Sequence, residues 1–256
     1  MSLVNEFTKE KLVVKIYSDR KSIGKAAADK VAAVINEKLN KKNEVRIIFA
    51  AAPSQNEFLA SLIQKNIDWS RVVGFHMDEY VGLKAGAPKL FGTYLREHIF
   101  ERVDFKDVHF FNPIYSDLEE ECKRYESVLK EKEIDVVCMG IGENGHLAFN
   151  DPPVADFNDP KFVKVVELDE KCRQQQVNDG CFPTFEDVPT HALTLTIPAL
   201  LSTDFKSVVV PGTSKAEAVK KTLNDEISTK CPSTILRKEE NTILYLDKES
   251  SVLINK

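Results

Sequence analysis

A glycine-rich turn near the middle of the chain holds the residue types best suited to proton transfer. It follows an apolar run over residues 134–139, which is typical of a buried parallel strand. Three glycines fall within the next six residues, and such a turn exposes backbone N–H groups and lets a ligand approach the main chain. His146 lies on this turn between Asn144 and Asp151, and a nearby carboxylate can orient an imidazole and stabilise its charged form. The pattern indicates acid–base chemistry, although a structural histidine would fit this stretch equally well.

Asp78 and Glu79 form a second candidate, because they come directly after a short apolar strand predicted over residues 72–75. A carboxylate that is partly removed from water has a raised pKa and can act as a base. An aspartate in this place could also simply cap a turn.

Ser54 and Lys215 suggest an anion site, because each follows a predicted strand and stands where a helix begins. The free N–H groups and positive potential at a helix N-terminus suit a phosphate, and Lys215 adds a full charge. The alternative is that Ser54 only caps its helix and that Lys215 is solvated.

Strands and helices alternate along the chain, which is the pattern of a mainly parallel sheet. We therefore predict an α/β fold with one Rossmann-like domain over residues 1–256: a doubly wound, mainly parallel sheet with helices on both faces. Parallel strands bring their carboxyl ends to one edge of the sheet, so the polar segments 50–55, 76–80, 140–151 and 211–215 should meet in one crevice. The predicted strands cover residues 12–17, 45–50, 72–75, 108–111, 134–139, 162–168, 193–196, 208–210 and 243–246.

The composition argues against several classes of partner. A net charge of −5 speaks weakly against nucleic acid, which usually needs a basic surface. No apolar run reaches the ~20 residues of a membrane span, and no secretory signal precedes the first predicted strand. The five cysteines are scattered and form no CxxC pair, which indicates reduced thiols in a cytoplasmic protein and no metal site.

Two longer motifs allow a more specific comparison. Residues 75–83 read FHMDEYVGL and residues 140–152 read GIGENGHLAFNDP. In this order and at this separation they resemble the glucosamine-6-phosphate deaminase (isomerase) family, and the resemblance runs over nearly the whole chain. The sister 6-phosphogluconolactonases share the fold but typically have an arginine in place of Tyr80 and Gly-His-Thr-Ala-Ser in place of residues 145–149.

The resemblance implies a reaction that isomerises an amino-sugar phosphate, releases ammonia and gives fructose 6-phosphate, without a metal or an organic cofactor. On this basis His146 would open the sugar ring, and Asp151 would hold and polarise it. Asp78 would take a proton from C2 and return it at C1. Asn144 would position the histidine or a substrate hydroxyl, and Lys215 would bind the phosphate.

Ser54, Gly145 and Gln176 complete the implied substrate-binding residues, but three positions depart from the family pattern. Asp151 stands where the family usually has glutamate, so its contact with the histidine could be direct, water-bridged or lost. The phosphate loop is usually glycine-rich and here reads AAPS over residues 51–54. The family's phosphate-binding arginine aligns near Gln176, within residues 173–176, so one charge is missing unless Arg173 turns into the site.

Two other functions stay open at this point. One is a hydrolase of the lactonase type, and the other is a non-catalytic sensor of sugar phosphates, which the altered phosphate loop would suit. In each case the partner is a small phosphorylated sugar. A homo-oligomer is compatible with the sequence, in which no interface is evident.

Overall fold

The computed structural model describes residues 2–114, 116–178 and 180–254. Within them the strands are β1 (Leu3–Lys9), β2 (Leu12–Tyr17), β3 (Val45–Phe49), β4 (Val72–His76), β5 (Asp78–Tyr80), β6 (Asp107–His109), β7 (Val136–Met139), β8 (Val163–Glu167), β9 (His191–Leu195), β10 (Phe205–Val210) and β11 (Thr242–Asp247). The helices are α1 (Arg20–Leu39), α2 (Asn56–Leu62), α3 (Phe91–Leu95), α4 (Leu118–Lys130), α5 (Glu170–Asn178), α6 (Ile197–Leu201) and α7 (Ala216–Asn224). In the ranges described, none of these helices is long and apolar enough to cross a membrane.

Eight strands form one sheet in the order β1-β2-β11-β10-β7-β3-β4-β6. The pairings from β2 to β6 are parallel, and β1 runs antiparallel to β2 at the edge. The chain builds outward from β3 to β6 in one direction and from β7 to β11 in the other, so the strand order reverses between β3 and β7. A crevice opens beyond the carboxyl ends of strands at such a reversal.

Helices cover both faces of this sheet, and the apolar sequence of β7 is suited to that position. All four residues of β7 are buried. Val136 and Cys138 pack in a cluster with α1 and α2, whereas Val137 and Met139 pack in a second cluster with α4 and α7. Successive side chains of a strand point to opposite faces, so a continuous apolar run is what a strand between two helical layers requires. The predicted doubly wound, mainly parallel α/β fold is confirmed.

Two of the predicted strands lie outside this sheet. β8 and β9, which cover most of 162–168 and 193–196, pair antiparallel with each other, and β5 completes a separate sheet in the order β5-β9-β8. The alternation of strands and helices along the chain does not distinguish one sheet from two, because it does not show which strands pair. The polar β5 and the exposed β1 were not predicted as strands for the related reason that neither carries an apolar run.

Candidate active site

A cavity of about 160 Å³ lies beyond the carboxyl ends of β3, β4, β7 and β10. Its wall takes residues from all four polar segments that were expected to meet there, and further residues from α1, α3 and α5. The lining residues that matter for its chemistry are Arg20, Ser54, Asp78, His146, Gln176 and Lys215.

Strand geometry separates the two adjacent carboxylates. The chain passes from β4 to β5 through Met77 alone, and successive side chains of β5 point to opposite sides. Asp78 lines the cavity with 7% of its surface exposed, and its carboxylate accepts no hydrogen bond from the part of the chain that is described. Burial and the neighbouring charge of Glu79 raise the pKa of Asp78 well above its ordinary value. Asp78 therefore has the exposure to the cavity and the basicity that a general base requires.

Glu79 binds the backbone instead. Its carboxylate oxygens accept hydrogen bonds from the N–H groups of Tyr80, Phe91 and Gly92 at 2.9, 2.9 and 2.8 Å. Burial raises the pKa of Glu79 to about 7, although these three hydrogen bonds favour the charged form. Glu79 thus ties the start of α3 to β5, and Phe91 in turn forms part of the cavity wall.

The turn after β7 folds His146 back over the main chain. The Gly142 N–H donates to the His146 carbonyl at 3.0 Å, and the Gly145 N–H donates to the Gly142 carbonyl at 3.0 Å. A Cβ atom at Gly142 would lie 2.2 Å from atoms of the imidazole ring. The ring therefore rests directly on a glycine, and any larger residue at 142 would have to displace it.

Asp151 orients the imidazole by direct contact, despite being shorter than the glutamate usual in the family. His146 Nδ1 and Asp151 Oδ1 are 2.9 Å apart, and Asn144 Nδ2 donates to the same oxygen at 2.7 Å. Burial disfavours the charge on Asp151, but the charge of His146 and hydrogen bonds from His146, Asn144 and Cys172 outweigh it and lower the pKa of Asp151. An ionised Asp151 can only accept, so Nδ1 carries the proton and Nε2 is the ring nitrogen left for a ligand.

Cys172 also holds Asp151 in place, a role that the sequence did not indicate. It lies on α5, and burial raises the pKa of its thiol far above the ordinary value, so the thiol stays protonated and donates to Asp151. Among the described residues, His146, Asp151 and Cys172 bring possible metal-ligating atoms within 4.8 Å of one another. The spacing of the cysteines along the chain could not reveal this cluster, because its members meet only through tertiary packing.

Ser54 and Lys215 lie towards the other end of the glycine turn. A Cβ atom at Gly140 would lie 3.6 Å from Ser54 Oγ and 3.5 Å from a carbonyl at the end of β10, just before the segment that carries Lys215. Gly142, two residues further along the same turn, contacts the imidazole, and the Cα atoms of Gly140 and Gly142 are about 7 Å apart at most. The cavity therefore has an acid–base end and an end with a hydroxyl and an ammonium group.

Comparison with known proteins matches this chain to a family. Residues 18–245 match the family model described as glucosamine-6-phosphate isomerases/6-phosphogluconolactonase. The chain belongs to this family. It is 38% identical over 217 residues to a protein named glucosamine-6-phosphate deaminase from Bacillus cereus (strain B4264), covering 85% of this chain and 81% of that one. A protein of the same name from Bacillus thuringiensis (strain Al Hakam) is 37% identical with the same coverage.

Solved structures of this family agree with the fold. A monomeric glucosamine-6-phosphate deaminase superposes with a TM-score of 0.86 at 29% identity, covering 94% of this chain and 99% of that one. A 6-phosphogluconolactonase from Thermotoga maritima gives a TM-score of 0.75 at 17% identity, over 93% and 99% of the two chains, and at that identity shows a shared fold only. The resemblance inferred from the two motifs is confirmed.

Gly145 and Asn144, both expected at the site, are not among the residues described on the cavity wall. Gly145 is not on the described cavity wall: its φ of 87° shapes the turn, its carbonyl accepts from the Ser233 N–H at 2.8 Å, and a Cβ atom there would lie 2.4 Å from Cys231 Sγ. A contact between Gly145 and the substrate stays a prediction. Asn144 Oδ1 accepts the His146 backbone N–H at 3.0 Å, so Asn144 positions the histidine, and a contact with a substrate hydroxyl stays a prediction.

Proposed function

We propose that this protein is an amino-sugar-phosphate deaminase that converts glucosamine 6-phosphate to fructose 6-phosphate and ammonia. The observation that carries the proposal is that Asp78, at the start of β5, and His146, on the turn after β7, face one cavity that Lys215 also lines. The names of the relatives at 37–38% identity support the same substrate. We further propose that residues 1–256 act as a single domain, since the lining residues come from loops spread between residues 20 and 215.

His146 would open the sugar ring. Its Nε2 accepts the proton of the anomeric hydroxyl and returns it to the ring oxygen as the bond between that oxygen and C1 breaks. The imidazole is charged between these two steps, and the adjacent Asp151 carboxylate stabilises that charge through Nδ1. The product of this step is the open-chain amino aldehyde.

Asp78 would carry out the isomerisation. A C–H bond next to a carbonyl is only weakly acidic, so its proton must be taken by a base held close to it in a site with little water. Asp78 takes the proton from C2 and returns it to C1, while a proton passes from the amino nitrogen to O1, which leaves a hydroxyl at C1 and an imine at C2. Water adds to that imine and ammonia departs, so the overall reaction consumes one water. This net balance would class the enzyme as a hydrolase, although its central step is an isomerisation.

The direct test is to incubate the protein with glucosamine 6-phosphate and to measure ammonia and fructose 6-phosphate. Galactosamine 6-phosphate and 6-phosphogluconolactone serve as comparison substrates under the same conditions. We expect ammonia and fructose 6-phosphate in equal amounts from glucosamine 6-phosphate. Turnover of the lactone alone would overturn the proposal in favour of a hydrolase, and thermal stabilisation by sugar phosphates without any turnover would overturn it in favour of a sensor.

The replacement Gly142→Ala tests whether the imidazole must rest on a glycine. The added methyl group would overlap the ring, so His146 should move away from its position by an ångström or more and kcat should fall by up to about 10²-fold. The matched control is Gly140→Ala on the same turn, where a Cβ atom has no contact shorter than 3.3 Å and a much smaller effect on kcat is expected. Equal kcat values for the two variants and the wild type would contradict the role given to His146.

A further inference from the structure

The substrate of the proposed reaction carries a phosphate, yet the helix that should supply an arginine for it is neutral at the cavity. Gln176, near the place that the family resemblance gives to that arginine, is buried and lines the wall together with Gln175. The nearest arginine on α5 is Arg173, and it is held elsewhere. Its Nη2 donates to the carbonyls of Phe185 and Val188 at 2.8 and 3.0 Å, and its guanidinium lies 4.0 Å from the centre of the Phe185 ring. α5 therefore gives the phosphate no positive charge.

Arg20 reaches the same cavity from a different element. It is the first residue of α1, whose start is fixed by the Asp19 carboxylate accepting the Ser22 N–H at 2.8 Å. The Arg20 side chain is 41% exposed and lines the cavity. Its Nη2 donates to the Pro53 carbonyl at 2.8 Å, which attaches the guanidinium to the loop that carries Ser54.

The remaining contacts of Arg20 leave it donors for a ligand. Nε and Nη2 bind the two oxygens of Glu57, each at 3.0 Å, so this carboxylate orients the guanidinium in a fixed plane. Nη1 donates to no residue in the described ranges, which leaves two N–H groups. Arg20 and Lys215 are the lysine and arginine side chains on the described cavity wall. A phosphate monoester carries nearly two negative charges at neutral pH, and a planar guanidinium is well suited to binding one.

We propose that Arg20 binds the substrate phosphate together with Lys215. It would supply the positive charge that an arginine supplies in the family and that Gln176 does not. The inference rests on the proposed function for the identity of the substrate. It assigns a substrate-binding role to the N-terminus of α1, an element outside all four loops that were expected to form the site. Glu57 orients the guanidinium and, as a nearby negative charge, limits how tightly the phosphate is held.

The test measures kcat and KM for glucosamine 6-phosphate in Arg20→Ala and Arg20→Lys, with the exposed Arg102→Ala as the matched control. Losing a hydrogen bond to a charged group should raise KM by about tenfold or more, and kcat should change little because the phosphate is held equally in the ground and transition states. The double variant Arg20→Ala with Gln176→Arg should recover much of the affinity. An unchanged KM in a folded Arg20→Ala protein would overturn the inference.

A second variant covers the case in which Arg20→Ala does not fold. Glu57→Gln keeps Arg20 and removes the opposing charge, so KM for the phosphorylated substrate should fall. If Arg20 only links α1 to α2, Glu57→Gln would lower the melting temperature and leave KM unchanged, which would overturn the inference. Activity on unphosphorylated glucosamine should be the same in the wild type and in every Arg20 variant.

Binding measurements separate this inference from the proposed function. Thermal stabilisation by inorganic phosphate and by fructose 6-phosphate requires no deamination and should weaken in Arg20→Ala. If the wild type released no ammonia but its stabilisation by phosphate depended on Arg20, the proposed function would fail and the inference would stand. If ammonia were released and Arg20→Ala bound phosphate as the wild type does, the inference would fail and the function would stand.

Discussion

Replacing Asp78 by asparagine is expected to reduce ammonia release from glucosamine 6-phosphate by roughly 10²- to 10⁴-fold, the usual contribution of a general base. Asparagine has nearly the same shape and fits the same place at the start of β5, but its amide cannot accept the C2 proton. KM should stay close to the wild-type value, because the groups proposed to hold the phosphate are untouched. The matched control is Asp104→Asn, an exposed aspartate outside the cavity, and it should behave as the wild type.

The pH dependence of kcat/KM in the wild type is a second test of Asp78 as the base. Asp78 acts only when ionised, and burial and the charge of Glu79 raise its pKa well above the ordinary 3.8. As the pH falls through this raised pKa the carboxylate gains a proton, so kcat/KM should decline at a pH clearly above that of an ordinary aspartate. A kcat/KM that stays constant down to the ordinary aspartate range, or ammonia release that Asp78→Asn leaves unchanged, would reject Asp78 as the base.

Replacing His146 by glutamine should also lower kcat by roughly 10² to 10⁴-fold, because the ring-opening proton loses its carrier. Glutamine can still donate a hydrogen bond, but it does not accept and return a proton near neutral pH. The matched control is His191→Gln, an exposed histidine that is not on the cavity wall. Wild-type turnover in His146→Gln would show that the ring opens without the imidazole.

Isotope exchange can distinguish the two roles. When fructose 6-phosphate and ammonium are supplied in D₂O, the proposed base should exchange a C1 proton of the ketose imine without any closure of the pyranose ring. His146→Gln should therefore retain this exchange, whereas Asp78→Asn should abolish it. Loss of exchange in both variants would contradict the division of labour between the two residues.

Local features of the fold followed from the sequence because the interactions behind them span only a few residues. The predicted strand at 12–17 coincides with β2, and Asp19, a residue type that favours the N-cap position, caps α1 by accepting the Ser22 N–H. Asp117 likewise caps α4 by accepting two backbone N–H groups. Each of these features depends on side chains within about one helical turn or on the period of one strand.

Strand pairing and residue roles at the site did not follow in the same way. β8 and β9 read as ordinary strands, but their partners lie in a second sheet that the order of elements does not reveal. By residue type alone the adjacent carboxylates of Asp78 and Glu79 were equivalent, although the family resemblance favoured Asp78 as the base. The placement of β5 directs Asp78 to the cavity and Glu79 to the backbone of α3.

The sequence by itself determined the fold class, the family, and the presence of an aspartate, an imidazole and a lysine shortly after parallel strands. These depend on periodicity and on motifs that are continuous in the chain. Tertiary structure decided that Asp151 contacts the imidazole directly, that Cys172 supports it, and that Arg20 and not an α5 arginine reaches the cavity. Such contacts join residues that lie far apart in sequence or turn on distances of a single methylene group. They exist only once the strand order brings the elements together.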